Sequence, residues 1–267
     1  MKLFYRKFGN GPPLIILHGL YGSSDNWVTI AKKLGDAFTV YLPDQRNHGQ
    51  SPHSDIHDYN SMRDDLFELA ADLRLRKFFL AGHSMGGKTA IAFATKWPEM
   101  IDGLLVADIS PFANETSQSI AYNQHLTILR TIISTDLLAI RSRSQAEELI
   151  IEKIESEKMR GFILKNLQRN TGETFSWKLN AAALYNNLDN IMAGIDLADR
   201  FLQPVTGFPV IFLKGSNSNY LTASNIADIK KVFPASEFTV INGAGHWIHT
   251  EKPDEVISNI RKLLNDD

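Results

Sequence analysis

The chain has 267 residues, of which 43% are hydrophobic and 22% charged, with a formal net charge of −2 and no cysteine. That length suits a single α/β domain whose core folds without staples, and scattered, nearly balanced charge argues against nucleic acid or an acidic membrane as a partner. The absence of cysteine excludes disulfides, thiolate metal sites and a cysteine nucleophile, and it fits a reducing cytoplasm. Lys2, Arg6 and Lys7 interrupt the N-terminus too early for a signal peptide. No apolar run approaches the roughly 20 residues of a membrane helix. The expectation is a soluble, cytoplasmic monomer or homodimer.

Predicted elements alternate along the first hundred or so residues. Leu14 to Leu17, Phe38 to Tyr41, Phe78 to Leu80 and Leu104 to Ala107 are short, wholly apolar strands of the kind covered on both sheet faces. Amphipathic stretches near Trp27 to Leu34, Met62 to Leu73 and Lys88 to Trp97 separate them. This rhythm predicts a parallel sheet with crossover helices. From Phe112 to Pro204 no strand is predicted, only helices, the clearest opening at Ser144 with Glu147 as a capping box. Strand Val210 to Leu213, a helix near Ser224 to Phe233, strand Phe238 to Ile241 and a helix after Pro253 then resume the pattern. The predicted fold class is α/β: a mostly parallel sheet flanked by helices, with residues 1–111 and 205–267 as the core and 112–204 as an inserted helical cap.

Between strand Lys77 to Ala81 and the next helix stands Gly82-His83-Ser84-Met85-Gly86. Strand, G-x-S-x-G and helix form the context of a nucleophile elbow, in which the serine takes strained geometry and glycines make room for it. A serine hydroxyl needs a base. Among the eight histidines, His246 follows the last strand in the glycine-rich Gly243-Ala244-Gly245-His246-Trp247 and can lean across the sheet edge. His249 is its rival, expected to point elsewhere, and His83 is expected to pack beneath the elbow. His18, His48, His53, His57 and His125 are read as structural or exposed. Two backbone N–H groups should hold a developing oxyanion: Met85, after the nucleophile, and Leu20, after Gly19 in the loop leaving the first long strand.

His18-Gly19, Asp44 to Ser51, the elbow, and Gly245-His246 with Glu251 and Pro253 together resemble the α/β-hydrolase superfamily over nearly the whole chain outside the cap. Arg46 to His53 and Gly82 to Lys88 resemble its small bacterial acyl esterase and thioesterase branch. The acid departs from the common superfamily pattern, because Lys214 to Tyr220 contains no carboxylate. The other position able to reach His246 is the end of the preceding strand, where Asp108 stands, and the resembled branch implies the same displaced acid. Asp108 can instead cap a cap helix or pair with a base, leaving a dyad. Ser218 and Asn217 are candidates to hydrogen-bond the acid or its loop.

Asp44 and Arg46 are read as a bracing pair and Lys88 as solvated. Tyr21, Trp27, Phe112, Trp177, Tyr220 and Trp247 are candidate pocket or core aromatics. No metal, nucleotide or dinucleotide motif occurs, so no cofactor is expected. The resemblance implies a serine hydrolase acting on small-molecule acyl esters or thioesters, with Ser84, His246 and Asp108 as catalytic residues. The alternatives are a carbon–carbon hydrolase, lyase or perhydrolase with the same residues, and a non-catalytic binding module.

Overall fold

A strand in which every residue is apolar must be covered on both faces. The computed structural model, which describes residues 1–113, 115–172 and 174–264 and only the backbone of 115–119, supplies that cover. The first strands are β1 (Tyr5–Phe8), β2 (Pro13–Leu17), β3 (Thr39–Pro43), β4 (Phe78–His83) and β5 (Ile101–Ala107). A short antiparallel hairpin, β6 (Leu167–Arg169) and β7 (Phe175–Trp177), stands apart from them. Strands β8 (Val210–Gly215) and β9 (Glu237–Ile241) complete a seven-stranded sheet in the order β1-β3-β2-β4-β5-β8-β9. Every pairing in that sheet is parallel except β1 with β3.

The helices are α1 (Val28–Leu34), α2 (Tyr59–Asp72), α3 (Met85–Lys96), α4 (Glu115–Ser134), α5 (Arg143–Ile150) and α6 (Glu157–Leu164). They continue with α7 (Ala181–Asn186), α8 (Leu188–Met192), α9 (Ala198–Leu202), α10 (Ala223–Val232), α11 (Ile248–Glu251) and α12 (Pro253–Lys262). Side chains alternate along each strand. Ile15, Leu17, Leu80, Leu104 and Val106 therefore meet α2, α3 and α10 on one face. Leu14, Ile16, Ala81, Leu105 and Ala107 meet α1 and α12 on the other. Each buried Leu or Ile contributes on the order of 1.5–3 kcal/mol.

Between β5 and β8 the chain builds a separate apolar cluster from α4 to α8, with Leu129, Ile132, Ile150, Leu164 and Leu184 buried and Tyr21 joining it from the core. Polar ties fasten this segment to core loops. Asn166 Nδ2 donates to Tyr21 O at 2.9 Å, Asn180 N to Asn47 O at 3.0 Å, and Asn187 Nδ2 to Asp55 O at 2.7 Å.

Three sequence expectations need correction. Strand β1 was not foreseen, because its four alternately exposed residues follow no apolar run. The hairpin β6–β7 lies where no strand was expected. Its strands have three residues each, too short for any period to register. Helix α5 starts two residues earlier than the Ser144 capping box: Ser142 is the cap and its hydroxyl accepts Gln145 N at 3.2 Å. Ser142 and Gln145 have the same spacing as Ser144 and Glu147, so the sequence offered two registers and packing of Ala146 and Ile150 selected one.

Candidate active site

The elbow joins β4 directly to α3, and Ser84 between them has φ 54° and ψ −121°. A non-glycine residue there is strained, and such strain persists only where surrounding structure enforces it. The crowding is visible at both glycines. A Cβ on Gly82 would come within 2.3 Å of Gly86 O, and one on Gly86 within 2.5 Å of His18 O and Leu17 O. Ser84 thus heads α3 with its side chain making no cap hydrogen bond to the helix.

Strand β9 leads into the loop carrying His246. Glu251 Oε2 accepts Gly245 N at 2.6 Å, and Asn217 N donates to Ala244 O at 2.9 Å, so this loop is pinned from both sides. His246 Nε2 stands 3.0 Å from Ser84 Oγ and its Nδ1 stands 2.8 Å from Asp108 Oδ2. An ionised carboxylate can only accept, so Nδ1 carries the proton and Nε2 is left to accept from the serine hydroxyl.

Asp108 is fully buried just beyond β5, with φ 53°. Its Oδ1 accepts Gly215 N at 3.0 Å, and Ser218 Oγ donates to its Oδ2. The last residue of β8 and the loop after it therefore supply donors to a carboxylate delivered by β5. Asn217 does not touch the acid; its N–H serves the histidine loop. Tyr220 lies flat on the His246 ring, centroids 3.8 Å apart at 18°, and burial followed by the Asp108 charge pushes its phenol pKa upward.

Gly19 brings the loop after β2 against the elbow: a Cβ there would meet His83 Nδ1 at 2.9 Å and Ser84 Cβ at 3.2 Å. Leu20 N donates no hydrogen bond among the described residues. Met85, as the first residue of α3, has no helical carbonyl one turn behind it. Two N–H groups are thus available beside Ser84. The cavity over Ser84 has a volume of 310 Å³, and its walls include Leu20, Phe112, His125, Ile191 and Tyr220.

The remaining histidines divide as their neighbours dictate. His18 Nε2 accepts Gln45 N at 2.9 Å, and His48 Nε2 accepts Tyr21 N at 3.2 Å, so both hold backbone. His83 packs below the elbow with Nε2 2.8 Å from His246 O. His249 stacks on Trp27 at 4.7 Å, and burial, then the His246 charge, lowers its pKa to about 3. His57 is buried against Met85 and Asn47. His125 hydrogen-bonds with Tyr21 Oη at 3.1 Å and lines the cavity, while His53 is exposed.

Asp44 and Arg46 both brace loops, but not as a pair. Asp44 accepts Ser24 N at 2.6 Å and Gln50 N at 2.8 Å, whereas Arg46 pairs bidentately with Asp65 at 2.6 and 2.9 Å. Phe112 and Tyr220 line the cavity, Tyr21, Trp27 and Trp247 line a smaller side recess, and Trp177 lines neither. Lys88 departs most from expectation: it is buried, with Nζ donating to Ala193 O at 2.6 Å and Met192 O at 3.4 Å. Its signal was present in the sequence. A lone lysine among small and apolar residues stands four positions after Ser84.

Among the described residues no cluster of His, Cys, Asp or Glu could hold a metal ion, and no helix is long and apolar enough to cross a membrane.

Residues 12–253 match the family described as the alpha/beta hydrolase fold. The chain is 32% identical to Esterase YbfF of Escherichia coli, covering 96% of this chain and 94% of that one. It is 35% identical to the sn-1-specific diacylglycerol lipase ABHD11 of Danio rerio, covering 96% and 79%. Among solved structures, a marine microorganism esterase superposes with a TM-score of 0.92 at 42% identity, covering 98% and 99%.

Proposed function

The chain belongs to the α/β-hydrolase family, and from that premise we propose that it is a serine hydrolase cleaving carboxylic esters or acyl thioesters through an acyl-enzyme. The observation that carries this is the unbroken line of contacts from Ser84 Oγ through the His246 ring to Asp108, opening into one cavity. Relatives named esterase and lipase support the ester as the bond attacked.

In the first half-reaction Ser84 Oγ attacks the substrate carbonyl while His246 Nε2 takes its proton. The carbonyl oxygen becomes an anion that the Leu20 and Met85 N–H groups receive; each such donor contributes about 3 kcal/mol to the transition state. The new imidazolium carries a positive charge beside the Asp108 carboxylate and beneath the Tyr220 ring face. Both favour the cation, the first by Coulomb attraction and the second by cation–π contact. His246 then protonates the departing alcohol or thiol. Water enters, His246 deprotonates it, and attack on the acyl-serine releases the acid and restores the hydroxyl. Residues 112–204 act as a cap that encloses the acyl group and excludes bulk water from these charges.

Fluorophosphonate labelling tests this directly. Ser84 should be modified in the wild type and not in Ser84→Ala, and p-nitrophenyl or acyl-CoA esters should turn over. Absence of labelling on a folded protein would instead indicate a binding module.

A further inference from the structure

Lys88 is a buried cation that the ester chemistry above does not use. It is only 5% exposed and lines the same cavity as Ser84. Its ammonium has three protons to donate. Two are directed at the carbonyls of Met192 and Ala193, at the C-terminal end of α8, and the Tyr59 ring centroid lies 5.4 Å away. The Tyr59 hydroxyl itself donates to Ile191 O at 2.7 Å. Among the described residues no carboxylate lies within ion-pair distance of Lys88.

Two backbone carbonyls could be satisfied by a neutral donor at far smaller desolvation cost than a buried ammonium. Burial alone lowers the Lys88 pKa to about 8, so at neutral pH most molecules still hold a full positive charge there. Two carbonyls and a ring face hold this ammonium, but no described carboxylate balances its charge, so an anion entering the cavity would.

Position fixes which part of a substrate that anion belongs to. Lys88 N donates to Ser84 O at 3.0 Å, one turn on, and both side chains line the same cavity. Of the neighbours of Lys88, Tyr59 packs against Met85, and both Tyr59 and Met192 line the cavity. His246, which protonates the leaving group, enters from the loop after β9 and stacks on Tyr220, whereas Lys88 lies over Tyr59. The Lys88 end therefore receives the acyl portion.

We propose that Lys88 is a specificity determinant, an anion anchor selecting acyl groups that carry a carboxylate at their far end, as in half-esters of short dicarboxylic acids. This rests on the hydrolase function proposed above and narrows its substrate class.

The test compares two p-nitrophenyl esters with the same leaving group: the mono-ester of glutarate and its neutral isostere, 5-methylhexanoate. Wild-type kcat/KM should favour the glutarate. In Lys88→Met the glutarate-to-methylhexanoate ratio should fall about tenfold or more, the size expected for losing one charge-assisted hydrogen bond. Lys88→Gln, which keeps a neutral donor for the carbonyls, should show the same fall. Reading a ratio cancels any loss common to both substrates from disturbance of α8.

A ratio unchanged in both variants, or a wild type that disfavours glutarate, overturns the proposal and leaves Lys88 as a tie to α8. Binding supplies a readout independent of turnover. Monomethyl glutarate should raise the melting temperature of Ser84→Ala but not of Ser84→Ala/Lys88→Gln. Turnover of the neutral ester without any carboxylate preference sinks the anchor alone. Glutarate binding without turnover or Ser84 labelling sinks the hydrolase function while the anchor survives.

Discussion

Replacing Asp108 by Asn removes one charge and exchanges one acceptor for a donor, leaving shape and volume almost unchanged. The backbone at 108 has φ 53°, a region Asn tolerates better than most residues, so the strand end should survive. The side-chain oxygen can still accept Gly215 N only by occupying the Oδ1 position. The amide nitrogen then faces Ser218 and His246 Nδ1. Ser218 can rotate its hydroxyl and accept. His246 must also accept at Nδ1, which moves its own proton to Nε2, and Nε2–H now points at Ser84 Oγ and cannot remove its proton. Flipping the amide would restore the tautomer but set its NH₂ against Gly215 N–H in a fully buried site, at a cost of about 1–3 kcal/mol. The first arrangement disables the base and the second is too costly for most molecules to adopt, so the base is lost in most of them. Loss of the tautomer in triads of this kind lowers kcat by about 10⁴, or about 5.4 kcal/mol. The assay is kcat/KM on a neutral p-nitrophenyl ester together with the rate of fluorophosphonate labelling, with thermal unfolding to verify the fold. A folded variant retaining more than a tenth of wild-type kcat/KM would show that Asp108 does not control the His246 tautomer.

Three further outcomes follow from the same contacts. Ser218→Ala deletes one donor to Asp108 while Gly215 N and His246 remain, so kcat should fall about tenfold with KM little changed; an unaltered kcat would refute a role for the hydroxyl. Gly86→Ala places a methyl 2.5 Å from two backbone carbonyls that cannot yield, and denaturant unfolding should register a loss of about 3 kcal/mol or more, whereas a loss under 1 would contradict the crowding. Burial, then the Arg46 charge, lowers the His57 pKa to about 3 against an unfolded value of 6.5. The folded protein keeps this ring neutral while the unfolded chain protonates, so its contribution is complete above pH 6.5 and declines on acidification. Between pH 6.5 and 5 this removes about 2 kcal/mol of stability. His57→Gln should remove that part of the slope in unfolding free energy, and identical slopes would refute it.

How far the sequence reaches depends on the range of the interaction. The strands β2, β4, β5 and β8 are legible because a run of buried apolar residues is a local property, and the elbow because its strain must be relieved by glycines two residues to either side of Ser84. Strand β1 and the hairpin β6–β7 are not legible, since strands so short exist only by virtue of the partner that pairs with them. Ser84, Asp108 and His246 could each be named from their place at a strand end. Their meeting could not be derived from spacing, because Asp108 and His246 are separated by 138 positions and brought to 2.8 Å by the order of strands in the sheet. Lys88 shows the limit most sharply. Its nearness to Ser84 is written in the sequence, but its burial depends on α8 packing onto it from a segment a hundred residues away, and only packing between distant segments decides that a lysine is denied water.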